Sequence, residues 1–298
     1  MTKKLLVLVA LLSFSFGAQA QTIETLQSKI SEILETKDAT VGVAVFAGHS
    51  DESISINGNK RLPMQSVFKY HIAVAILDQV DKGNLSLSDK LEVTKKDLDN
   101  ELWSPIRKKY PEGVSLTLAE ILQFTVAVSD NVGCDLLIRI LGGPKVIEDY
   151  FHRNGISDIA IKYNEVSQQA VWDRQYENWT TANAAATSLK VFYENQNKLL
   201  SDESYRFLWE TMKSSQTGQT TIRGNLPTGT VVAHKTGNSG KNEAGLIAAQ
   251  NDIGIVFLPD GSHFYLSVLV SDSNEKSAVN KKIIADIAEL AWDYFEEH

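Results

Sequence analysis

Hydrophobic positions along this chain follow two rhythms, and their order outlines a fold. Residues 22–37 and 275–296 repeat apolar side chains at helical spacing, which predicts an amphipathic helix near each end, able to cover a sheet face. "TVGVAVFAG" (40–48) and "ESISING" (52–58) read as two strands in a hairpin around His49-Ser50-Asp51. Four further strands are expected at 230–237, 244–251, 252–259 and 264–272, with Pro259-Asp260-Gly261 turning the chain between the last two. Such short links favour antiparallel neighbours. The middle of the chain reads as helices. Thr117 and Glu120 form a capping box before "ILQFTVAV". Gly142-Gly143 stops the next helix, and Pro144 can start the one after it.

Strands therefore come from both ends and helices mostly from the centre. This predicts an α/β (α+β) fold: an antiparallel sheet of about five strands, covered by the N- and C-terminal helices, with an all-α domain inserted. The expected division is 21–61 and 206–298 for the α/β domain and 62–205 for the all-α domain. The cleft between two such parts is where a site is expected.

One segment breaks the pattern. "MQSVFKYHIAVAIL" (64–77) is apolar nearly all round from Val67 to Leu77, as in a buried central helix, yet it carries Ser66 and Lys69. Pro63 marks the start of this helix and Gly83 its end. Positions three apart share a helix face. Burial lowers the pKa of a lysine that lacks a partner, and a neutral lysine beside a hydroxyl makes that hydroxyl a nucleophile. The alternative is that Ser66 caps the helix while Lys69 reaches solvent.

Composition narrows the classes. The chain has 298 residues, 43% hydrophobic and 22% charged, with a formal net charge of -8. No basic run stands out, so neither nucleic acid nor an anionic membrane is an expected partner. Lys3 and Lys4 precede the apolar run "LLVLVALLSFSFGA", followed by Ala18-Gln19-Ala20, the pattern of a secretory signal cleaved after Ala20. Removing residues 1–20 takes away two lysines and no acid, leaving a mature charge of -10. The expected location is periplasmic or secreted. With one cysteine, Cys134, no intramolecular disulfide forms, and its apolar surroundings suggest core packing. The cysteine and six histidines show no metal-ligand spacing, so no metal or cofactor is expected.

Two more segments carry candidate chemistry. Ser129-Asp130-Asn131 sits between two apolar helices, where it can equally be a plain turn. Lys235-Thr236-Gly237 closes a strand; Gly237 would allow close approach of a ligand, and Lys235 would offer a charge to an anion. The alternative is an edge-strand lysine.

Ser-x-x-Lys, then Ser-Asp-Asn, then Lys-Thr-Gly resembles the signature set of class A β-lactamases and penicillin-binding proteins. The resemblance covers essentially the whole mature chain. A glutamate on the long loop after Ser-Asp-Asn distinguishes the lactamases, and Glu165 in "KYNEVSQQAVWDRQYENWTT" (162–181) matches it, with Glu177 as the second candidate. The resemblance implies that Ser66 attacks a β-lactam carbonyl, that Lys69 and Glu165 share its activation, and that Ser129 relays a proton to the leaving nitrogen. It further implies that Asn131 holds the substrate's side-chain amide, that Lys235 and Thr236 bind its carboxylate, and that the N–H groups of Ser66 and Asn238 form an oxyanion hole. Trp103 matches an aromatic wall of the cleft. The implied partner is a small-molecule β-lactam, handled by a monomer. A D,D-peptidase or a non-catalytic β-lactam sensor is the competing reading.

The chain also departs from the common class A pattern. Gln169 stands where an asparagine usually helps hold the hydrolytic water. Tyr163 and Asn178 replace the Arg–Asp pair that ties the loop's ends, so a differently folded loop is expected. These features, with "VVAHKTG", resemble the PER- and VEB-like branch, which tends toward a wide cleft and cephalosporin hydrolysis. The arginine many class A enzymes place near the carboxylate site is also missing. Thr221 occupies one of its positions, leaving Arg223 and Lys241 as weak candidates.

Overall fold

The computed structural model describes residues 22–298. The expected signal at 1–20 lies outside the described residues. Five strands form one antiparallel sheet in the order Ser53–Ile56, Thr40–Ala47, His263–Ser273, Ile247–Phe257, Val232–Asn238. Alternation along a strand sends neighbouring side chains to opposite faces. Val41, Val43 and Val45 pack outward against Leu26 and Ile30 of the helix Ile23–Glu35 and against Ile283, Ile287 and Ala291 of the helix Ser277–Glu296. Ala44 faces the other way, into a core shared with the central helices. The two terminal helices thus cover one face of the sheet, as their periodicity implied.

One strand expectation fails. Residues 244–251 and 252–259 are not two strands but one, Ile247–Phe257. Asn251 and Asp252 are turn-forming types, but here both are buried and satisfied from outside their strand. The Asn251 amide donates to the carbonyls of Pro63 and Met64 at 2.7 and 3.2 Å. The Asp252 carboxylate accepts from Thr221 Oγ1 at 2.6 Å and lies 2.9 Å from His234 Nδ1.

The capping box forms as read: Thr117 Oγ1 accepts from Glu120 N–H, and the Glu120 carboxylate accepts from Thr117 N–H. Gly142 adopts the left-handed conformation that ends its helix, with Pro144 in the first turn of the next. The helix Asp202–Lys213 runs across the expected 205/206 boundary and packs on the Val232–Asn238 strand. Among the described residues, no helix is long and apolar enough to cross a membrane.

Candidate active site

The segment with the misplaced lysine begins as a tight turn. Residues Gln65–Val67 form one 3-10 turn, and the α-helix follows as Phe68–Asp81. Ser66 makes no capping bond to this helix, so the capping alternative fails. Lys69 is fully buried and does not reach solvent. Its ammonium donates to Ser66 Oγ at 2.6 Å, to Asn131 Oδ1 at 2.7 Å and to Glu165 Oε1. Ser66 Oγ lies 3.4 Å from Glu165 Oε1.

The electrostatics correct the expectation for Lys69. Burial pulls its pKa down most strongly of any single cause, but the charge and hydrogen bond of Glu165, joined by Cys134 and Asp135, together offset this and hold it above the ordinary lysine value. At rest, Lys69 is a proton donor. Lys235 shows the depression that was expected of Lys69. It is fully buried, and burial, reinforced by the charge of Lys69, pushes it down to about 7. Lys235 donates to Ser129 Oγ at 3.0 Å and to the Thr236 carbonyl at 2.9 Å.

The Ser-Asp-Asn segment divides its labour. Asp130 is buried and caps the helix Asn131–Leu141; its carboxylate also takes Ser104 Oγ and Ile106 N–H, both at 2.8 Å. This ties the Trp103 segment to the site, with Asn131 N–H bonded to the Trp103 carbonyl. Trp103 remains 65% exposed on the cleft rim, which excludes a packing role. Ser129 holds a left-handed backbone (φ 59), uncommon for a residue with a side chain and often found at functional sites.

Glu165 opens a short helix, Glu165–Ala170, whose position depends on a residue that sequence reasoning missed. Asp135 accepts from Glu165 N–H at 2.6 Å, Val166 N–H at 3.0 Å and Asn164 Nδ2 at 3.0 Å. Asp135 lies four residues after Asn131, so one helix face addresses both Lys69 and Glu165. An acid in the apolar run "NVGCDLLIRIL" was the available signal. Burial raises the Asp135 carboxyl to about 6. Gln169 Nε2 donates to Glu165 Oε2 at 2.9 Å, so the longer amide does reach the glutamate. Glu177 is exposed, accepts from Tyr163 Oη and does not line the cleft that holds Ser66.

The loop's ends are tied in their own way. The buried Asn178 accepts from the N–H groups of Lys162 and Tyr163 and donates to the Tyr163 carbonyl and Gln168 Oε1. Gln168 donates to Gln65, and Gln65 to Gln175. This buried amide chain links the loop to the residue before Ser66, and Gln65 itself has a left-handed backbone (φ 47). Glutamines spread over 110 positions gave no sequence signal.

Gly237 is required for a different reason than expected. A Cβ there would collide with the Met64 carbonyl oxygen and press on Gln65 and Ser66 N, so the glycine admits the protein's own nucleophile turn. This close approach carries Asn238, next along the strand, toward Ser66. Thr236 Oγ1 meets Thr217 Oγ1 at 2.9 Å. Together these elements line a cleft of about 600 Å³ that includes Ser66, Trp103, Ser129, Glu165, Thr236 and Asn238. Trp172 and Thr217 also line it and were missed. Arg223 and Lys241 do not. Arg223 spends its donors on the carbonyls of Lys213, Ser215 and Val232, and Lys241 is exposed.

Comparison with known proteins agrees with this geometry. Residues 25–295 match the profile of the β-lactamase enzyme family. The chain belongs to that family. β-Lactamase VEB-1 of Pseudomonas aeruginosa is 44% identical over 98% of this chain and 97% of its own. The extended-spectrum β-lactamase PER-1 of the same organism is 42% identical over 98% and 94%. A class A β-lactamase structure from Bacteroides cellulosilyticus superposes with a TM-score of 0.87 at 34% identity, covering 92% of this chain and 98% of that one. The enzyme is therefore a class A serine β-lactamase resembling the PER and VEB branch. Cys134, free and fully buried in this β-lactamase, packs in its helical core.

Proposed function

We propose that the enzyme hydrolyses penicillins and cephalosporins through an acyl-enzyme on Ser66, which a water activated by Glu165 then deacylates. The observation that carries this reading is the buried Ser66–Lys69–Glu165 cluster opening onto a cleft that Ser129 and Thr236 also line.

Because Lys69 rests protonated, the Glu165 carboxylate is the available acceptor for the Ser66 proton. The freed oxygen attacks the lactam carbonyl, and the N–H groups of Ser66 and Asn238 receive the developing oxyanion. Ser129, held by Lys235, hands its proton to the leaving nitrogen as the C–N bond breaks and takes back the one Glu165 drew from Ser66, passed on by Lys69, so that Glu165 is a carboxylate again. Water then adds to the ester, giving a proton to Glu165, whose orientation Gln169 supports; as the bond from the acyl carbon to Ser66 Oγ breaks, Glu165 returns that proton to Ser66. Asn131 uses its oxygen on Lys69, which leaves its amide N–H groups for the substrate side chain. Lys235, Thr236 and Gly237 form the wall that takes the substrate carboxylate, and Trp103 covers the cleft opening. The roomy cleft and the likeness to an extended-spectrum relative support cephalosporins as substrates.

The same reading has the enzyme exported, given the charged, apolar and small-residue sequence of positions 1–20. A site complete within one chain supports a monomer as the working unit. The sheet residues 21–61 and 206–298 and the helical residues 62–205 form the two walls in this reading.

Intact-protein mass spectrometry with a penicillin and with nitrocefin tests it. A transient adduct with product release is expected, and Ser66→Ala should show neither adduct nor turnover. A stable adduct would indicate the peptidase or sensor reading, and an active Ser66→Ala protein would refute the mechanism.

A further inference from the structure

Among the described residues lining the cleft, Lys281 is the only lysine or arginine. It stands on the C-terminal helix Ser277–Glu296, distant in sequence from every motif. That helix meets the turn following Thr217: a Cβ on Gly224 would lie 3.0 Å from Ala285 Cβ. Lys281 precedes Ala285 by four residues and so occupies the same helix face one turn earlier. There it joins Thr220 and Thr221 in the cleft wall.

Nothing local accounts for a cation at this point. The neighbouring Lys282 pairs with Asp286 one turn on. Lys281 has Ser277, Ala278, Ile284 and Ala285 at helical spacing, and among the described residues no side chain forms an ion pair with it. It lies near the start of a helix with no acid in its first turn, where the helix dipole disfavours positive charge. The other cations nearby are committed or buried. Arg223 is spent on three carbonyls, and Lys69 is paired with Glu165. Lys235 is fully buried against Ser129 and Thr236. The chain as a whole carries a net charge of -8, which repels an anion until a local cation offsets it.

We infer that Lys281 supplies the cleft's accessible positive charge for the substrate's ring carboxylate, acting beside the Thr236 and Thr217 hydroxyls as a specificity-determining residue. This rests on the hydrolysis reading above. It gives a sequence without the usual arginine another source of charge, from a helix that sequence reasoning assigned only to covering the sheet.

The test compares the wild type, Lys281→Met and Lys281→Arg on nitrocefin and on its carboxylate methyl ester. For the acid, Lys281→Met should raise KM about tenfold with kcat within about twofold, the size expected for one partly solvated charge-assisted contact. The ester should be hydrolysed equally by all three proteins. Lys281→Arg should restore the acid's KM, and added salt should weaken kcat/KM for the acid in the wild type more than in Lys281→Met. An unchanged KM for the acid, or equal losses on acid and ester, overturns the inference. If the wild type is acylated without turning over, the hydrolysis reading fails, and the acylation rate constants for acid and ester then decide the role of Lys281.

Discussion

Replacing Asp135 with asparagine tests whether the position of Glu165, and not merely its presence, sets the deacylation rate. The carboxylate accepts three donors, two of them the backbone N–H groups of Glu165 and Val166 at 2.6 and 3.0 Å. An amide of the same shape has one acceptor oxygen, and its NH2 group would face a donor. One N–H then loses its partner, which costs about 1–3 kcal/mol when buried. Because the loss falls on the first turn of the Glu165 helix, it should appear as a smaller population of correctly placed glutamate. At 1.36 kcal/mol per tenfold, deacylation should slow by roughly 5- to 150-fold. Acylation should slow as well, because the same glutamate takes the Ser66 proton. Global stability need not follow, because the change also removes a buried charge whose carboxyl is raised to about 6. A raised acid pKa means the folded state holds the extra proton, so this group's contribution to stability falls as pH rises from about 4 to about 6. The asparagine variant should lack that dependence. Rapid-quench mass spectrometry measures both steps, and the signature is a loss in each. Deacylation within twofold of wild type would refute the reasoning.

Two further outcomes follow from the same geometry. Lys235 is pushed down to about 7, so its ammonium is lost as pH rises through that value, and KM for a carboxylated substrate should climb between pH 7 and 9, by up to about tenfold per unit. Because its folded pKa lies below the unfolded one, its contribution to stability should rise over the same window and up to about pH 10.5; a flat KM profile would count against a charge role for Lys235. Gly237→Ala should push the strand off the nucleophile turn, lowering stability by about 1–3 kcal/mol and kcat more than KM, read by thermal melts and steady-state kinetics.

Short-range pattern carried much of this protein. The terminal helices, the hairpin, the Thr117 capping box and the helix stop at Gly142 are decided within a few residues, and local spacing suffices to read them. The three motifs were legible too, because each keeps its residues on one turn or strand end. Tertiary structure decided what spacing cannot encode. Asn251 and Asp252 look like a break, yet partners 188 and 31 positions away make one continuous strand of them. Lys69 looked like a lysine that burial would neutralise, but a carboxylate 96 positions on keeps it charged. Asp135 showed only as an acid in an apolar run, and the glutamine chain and Lys281 not at all, because their meaning lies in which distant backbone or cleft they meet. A side chain's charge state and its partners depend on what folding packs around it, and a linear pattern holds no record of that neighbourhood.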